Sequence, residues 1–120
     1  MTTKVVPMIH VPDVHAVVAW YQSIGFALQR THEEGGGLSW ASLTFGSTEV
    51  MFNEGGKPSN AQRREVDLYL HVENVDVLFA DLKDRVEIVE RAHNTDHGMR
   101  EFIIRDPNGF WIVFGQPLSS

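Results

Sequence analysis

The chain has no cysteine, which excludes a disulfide framework, thiolate zinc sites and a cysteine nucleophile, and fits a reducing compartment. No apolar run approaches the roughly 20 residues of a membrane span, and the start, Met1-Thr2-Thr3-Lys4, lacks the basic and then apolar pattern of a secretory signal. These absences predict a soluble cytoplasmic protein with no membrane partner. Basic residues are scarce as well: 10 Lys and Arg stand against 16 Asp and Glu, a formal charge of −6. That balance argues against nucleic acid, whose phosphates need basic patches. No serine lies in a nucleophile elbow, and Gly35-Gly36-Gly37 lacks the strand-to-helix context of a phosphate loop, so it reads as a turn. With 120 residues and 42% hydrophobic composition, the chain can bury one core but hardly two independent ones.

What is present is a repetition. Met8-Ile9-His10-Val11-Pro12-Asp13-Val14 returns as Tyr69-Leu70-His71-Val72-Glu73-Asn74-Val75, an offset of 71 − 10 = 61 residues. Glu49-Val50-Met51-Phe52 returns as Trp111-Ile112-Val113-Phe114, at 113 − 51 = 62. Two pairs at almost one offset predict two copies of a module of about 60 residues, related by a pseudo-twofold, with a cleft between their sheets where function is expected.

Local signals give each module the order βαβββ. Residues 4–11 are rich in Val and predict a strand with Val6, Met8 and His10 on one face. Asp13 is placed to cap a helix through Val17, Val18, Trp20 and Tyr21 that ends at Gly25. Strands are predicted at 26–33, 38–45 and 48–53, the last two joined by a turn at Gly46-Ser47. The polar stretch 54–65 reads as a connection, giving one domain of two modules, 1–55 and 66–120, with linker 56–65. The second module repeats the plan: strand 66–72, an Asn74 cap, and a helix with Val75, Leu78, Phe79 and Leu82 on its apolar side. Strands near 86–90 and at 100–105 follow, then the turn Asp106-Pro107-Asn108-Gly109 and a closing strand 110–114. The fold class is α+β, two βαβββ modules forming a curved mixed sheet.

Asp13 with Ala19-Trp20-Tyr21 and Ile24-Gly25-Phe26, then Phe45-Gly46, then Arg100-Glu101-Phe102 running into Asp106-Pro107-Asn108-Gly109, resemble the vicinal oxygen chelate superfamily of glyoxalases, bleomycin-resistance proteins and extradiol dioxygenases. The likeness covers nearly the whole chain and is closest to the bleomycin-resistance proteins. It implies paired modules around a cleft and a homodimer. It also implies metal-ligand positions, which fall at Val6, Met51, Asp67 and Val113; three of these side chains cannot hold a hard or borderline divalent ion, so no metal and no cofactor is expected. A displaced site at His10 and His71 is disfavoured, because Asp67 stands about 13 Å from His71 along its strand.

Without a metal, the expected ligand-binding residues are His10, Trp40, Met51, Asp67, Tyr69, His71 and Trp111: aromatic walls with a few polar groups make a site for a small organic molecule. Asp67 either binds a cationic or hydrogen-bond-donating ligand, acts as a base, or pairs with Arg63 or Arg64. Trp20 and Tyr21 are assigned to packing, and His15, His32 and His93 to the surface. Arg100 and Glu101 read as an ion pair on an outer face. In bleomycin-binding relatives a Trp that stacks on the drug lies near Gly98 and Met99, and here no aromatic stands there. The leading expectation is a metal-free binding protein that sequesters an antibiotic or another organic ligand. The alternatives are a divalent-metal lyase or dioxygenase, a metal-free isomerase using Asp67 or a histidine, and a regulatory module whose cleft has decayed.

Overall fold

Each copy of the repeat builds its own sheet and lays one helix across it. A computed structural model of the chain, describing residues 4–118, divides into a unit that ends at Pro58 and one that begins at Ser59. The first contains β1 (Met8–His10), α1 (Val14–Ser23), β2 (Ala27–Glu34), β3 (Gly37–Phe45) and β4 (Thr48–Asn53). The second contains β5 (Leu68–His71), α2 (Val75–Leu82), β6 (Glu87–Asn94), β7 (Met99–Arg105) and β8 (Trp111–Pro117). The sheet orders are β1-β4-β3-β2 and β5-β8-β7-β6. β1 runs parallel to β4 and β5 to β8, and the other pairs are antiparallel. The α+β class and the two βαβββ modules are therefore as expected, with four mixed strands in each. Among the described residues no helix is long and apolar enough to cross a membrane.

Period-two alternation sends alternate strand residues to the helix. In the first unit Ala41, Leu43, Val50 and Phe52 are buried on that side, and the ring of Tyr21 from α1 sits 4.7 Å from that of Phe52. In the second unit Phe102, Ile104, Ile112 and Phe114 are fully buried. Phe102 stacks on Phe114 at 4.9 Å and meets Phe79 of α2 edge-on at 5.3 Å. Each such side chain contributes about 1.5–3 kcal/mol. Both helices start on the expected caps: Asp13 accepts from the Ala16 amide at 3.0 Å and Asn74 from the Val77 amide at 3.1 Å. Tyr21 is fully buried, as its assignment to packing requires, and Trp20 leans edge-on against it.

Several strand bounds differ from expectation. The first strand is Met8–His10 rather than 4–11, because Pro7 has no N–H for the ladder; its carbonyl still accepts from the Met51 amide at 2.8 Å. β5 is shorter than 66–72. β6 runs on to Asn94, with two register shifts that break its alternation and hide its length in the sequence. β8 continues to Pro117.

The turn after β7 is held by Asp106, which is buried and accepts from the amides of Asn108 at 2.8 Å and Phe110 at 2.9 Å. Replacing it leaves two inward amides without an acceptor. Asp106→Ala is expected to lower stability in urea unfolding by about 1–3 kcal/mol; an unchanged midpoint would mean that the turn closes without its carboxylate.

Candidate functional site

The same alternation gives each sheet an open face, turned away from its helix. On the first sheet, strand pairing lines up Met8–Met51–Ser42 and His10–Asn53–Trp40 across that face. On the second, the equivalent rows are Tyr69–Val113–Ile103 and His71–Gly115–Glu101. The structure thus gathers His10, Trp40 and Met51 on one open face. Tyr69, His71 and Trp111 share the other, with Asp67 just before β5.

On the first sheet Trp40 is half-buried, with the Arg30 guanidinium 6.0 Å from its ring centre. His10 is exposed, its Nδ1 3.1 Å from the Glu54 carbonyl. Beside Met51, the fully buried Ser42 donates to the Glu49 carboxylate, which Lys4 also contacts at 3.0 Å. Gln29 Oε1 lies 2.9 Å from the same hydroxyl oxygen; a hydroxyl has one proton, and the charged Glu49 acceptor takes it. The Ser42 hydrogen bond, then Lys4, hold the Glu49 carboxyl below its ordinary value. The stabilisation this brings is present above the usual glutamate range and is lost as pH falls through the lowered value.

On the second sheet Tyr69 reaches across β8 and donates to Glu101 Oε2 at 2.6 Å. The path exists because residue 115 is glycine: a Cβ there would overlap the phenol. Glu101 is only 7% exposed, and His97 Nε2 lies 3.1 Å from the same Oε2. The His71 ring flanks that of Tyr69 at 5.2 Å. Burial first, then the hydrogen bond to Glu101 and its negative charge, push the Tyr69 phenol up to about 12.

Asp67 takes the pairing alternative. Arg63 binds it at 2.5 Å and lies over the Trp111 ring at 4.0 Å. The Gln62 carbonyl accepts from Trp111 Nε1 at 3.2 Å and from Arg105 Nε at 2.8 Å, so residues 62–67 form a strap along this edge of the sheet. A recess of about 450 Å³ beside the strap includes Arg63, Arg64 and Phe110. Both arginines are already engaged there, Arg64 with the Asn108 carbonyl at 3.1 Å.

The outer-face pairing of Arg100 with Glu101 is not what forms. Neighbours on a strand point to opposite faces, so Arg100 turns to Asp76 at 2.9 Å while Glu101 joins Tyr69. Glu101, His97 and Gly115 were thus missed as site residues. The available signals were a glycine inside a strand pattern, which marks a close approach, and the alternation that puts Glu101 on the Ile103 face. His15 and His32 are exposed as expected, and His93 is half-buried.

The residues at the relatives' metal positions do not fit a metal. Val6 and Val113 offer no donor atom, Met51 only a thioether, and Asp67 is held by Arg63. Among the described residues no group of three or more His, Asp or Glu side chains is placed to hold an ion.

Residues 5–114 match the profile of the Glyoxalase/Bleomycin resistance protein/Dioxygenase superfamily. Among solved structures, the chain is similar to TioX from Micromonospora sp. ML1, with TM-score 0.79 and 23% identity over 98% of this chain and 100% of that one. It is also similar to TnmS3 from Streptomyces sp. CB03234, described as an antibiotic binding protein, with TM-score 0.70 and 23% identity over 98% of each chain. A glyoxalase/bleomycin resistance protein/dioxygenase from Nocardioides gives TM-score 0.77 at 12% identity, covering 100% of this chain and 87% of that one. At these identities the likeness is one of fold. No curated protein matches.

Tyrosinate absorbance tests the cluster. Tyr69 is expected to ionise near pH 12, and Glu101→Gln to bring that step only part of the way toward about 10, because burial, the larger cause, remains. A phenol raised in this way stabilises the fold fully below about pH 10, and that contribution fades as pH climbs from there to about 12. A wild-type step near 10 that vanishes in Tyr69→Phe would contradict the geometry. Gly115→Ala is expected to cost about 1–3 kcal/mol in urea unfolding, as overpacking does, and no loss would mean that Tyr69 does not cross β8 here.

Proposed function

The chain belongs to the glyoxalase/bleomycin resistance/dioxygenase superfamily, and on that premise we propose that it binds a small organic molecule without a metal and without transforming it, sequestering an antibiotic or another organic ligand. The observation that carries this reading is the Tyr69 ring. It is 42% exposed on the open face of the second sheet, yet its hydroxyl is fixed by Glu101 and its flank is set by His71. A large ring held rigid and half in water offers contact area at little entropic cost to a partner, which a core residue does not.

Two further points support it. The positions that hold metal in relatives carry Val6, Met51 and Val113 here, and one structural neighbour is described as an antibiotic binding protein. The enzyme reading has less support, since Asp67, which with a histidine is one of its two candidate bases, is engaged by Arg63. In this account the two modules act as one domain, the protein works as a homodimer in the cytoplasm, and the open faces carrying His10, Trp40 and Met51, and Tyr69, His71 and Trp111, supply the ligand contacts.

Thermal unfolding against bleomycin, tetracycline and doxorubicin tests the proposal. A ligand at about 100 times its Kd adds roughly 2.7 kcal/mol to stability, so binding is expected as a clear rise in Tm that is lost in Tyr69→Ala. Stabilisation that persists undiminished in Tyr69→Ala, or none with any of the three, would count against this face as the site.

A further inference from the structure

Resting on the binding reading, we propose that Glu101 is the recognition group of the open face and that it selects a planar aromatic ligand bearing a cationic or N–H-donating group. Glu101 is buried, its side chain 10% exposed, and both of its protein partners, Tyr69 and His97, bond to one oxygen, Oε2. Oε1 has no protein partner among the described residues, and it is not sealed from solvent. A carboxylate oxygen that the protein leaves to solvent is an acceptor at which a ligand's donor can take the place of water.

Among the described residues no Lys or Arg side chain meets Oε1. Arg100, next in sequence, is committed to Asp76 and Asn94. Arg63 is committed to Asp67, and Arg105 to Glu87 and the Gln62 carbonyl. Oε1 of Glu101 is therefore left open beside the half-exposed Tyr69 ring, with His71 next to that ring. A flat cation can rest on such rings while its N–H group meets Oε1, a charge-assisted hydrogen bond. An anion would meet the carboxylate head-on. A metal ion would find Oε1 and no second carboxylate.

The repeat argues that the fold does not need this carboxylate. The equivalent row of the first unit, His10–Asn53–Trp40, builds the same strand register with tryptophan in place of Glu101 and asparagine in place of Gly115. One copy of the scaffold carries the acid and its glycine gap, and the other closes its sheet without either.

Two fluorescent dyes test the inference on the full chain: proflavine, a planar aromatic cation, and anilinonaphthalene sulfonate, an aromatic anion. Proflavine is expected to bind the wild type, and Glu101→Gln to weaken it about tenfold, the scale of one charged hydrogen bond, without weakening the anionic dye. Equal proflavine affinity in Glu101→Gln, or binding of the anionic dye alone, would overturn the role of Glu101 while leaving a binding face. Failure of both dyes to bind the wild type would overturn the binding reading itself. If Glu101→Gln does not fold, competition on the wild type decides: benzamidine is expected to displace proflavine and benzoate is not, and equal displacement by both would overturn the proposal.

Discussion

The Tyr69 phenol crosses the backbone of β8 at Gly115 to reach Glu101 Oε2, and this one hydrogen bond organises the open face of the second sheet. It needs Gly115 and Glu101 in one row and Tyr69 in the adjacent row of the same face, which the parallel pairing of β5 with β8 and the antiparallel pairing of β8 with β7 supply. It turns an exposed ring into a fixed surface. It also engages one oxygen of a buried carboxylate, and the other has no protein partner among the described residues. The bond is short and charge-assisted, so it is among the stronger neutral-donor contacts the chain can make.

The two modules keep their helix-facing rows alike and let their open rows diverge. Val50 and Phe52 answer to Ile112 and Phe114, buried in both units, because packing against a helix constrains volume. On the open side, Met8–Met51–Ser42 becomes Tyr69–Val113–Ile103, and His10–Asn53–Trp40 becomes His71–Gly115–Glu101. The repeat keeps the scaffold, while each open face carries its own side chains. An aromatic surface near Arg30 lies on one sheet, and an acidic aromatic surface on the other.

Much of the fold was legible in the amino-acid order because its signals are local. The caps at Asp13 and Asn74, the turn at Asp106 and the repeat itself depend on residues within a few positions of one another or on plain periodicity. Strand lengths were less so: Pro7 shortens β1 by removing a donor, and the register shifts of β6 scramble the alternation that would have revealed it. The site was legible only in part. Tyr69, His71 and Trp111 follow from alternation, yet Glu101 was given the wrong face and Gly115 passed unnoticed, since their meaning lies in partners 32 and more residues away. Asp67 carried an ion-pair alternative that only the position of Arg63 could select.

Binding on the open faces as proposed requires that this scaffold work without a metal, and elemental analysis tests that most directly. Protein purified without chelators or metal-affinity steps would be assayed for bound metal, then titrated with Ni²⁺, Zn²⁺, Mn²⁺ and Fe²⁺ while thermal stability is followed. The account predicts substoichiometric metal and no rise in Tm with any ion. Near-stoichiometric metal that is lost on His10→Ala or His71→Ala would contradict it and return the protein to the metal-dependent lyases and dioxygenases of its superfamily.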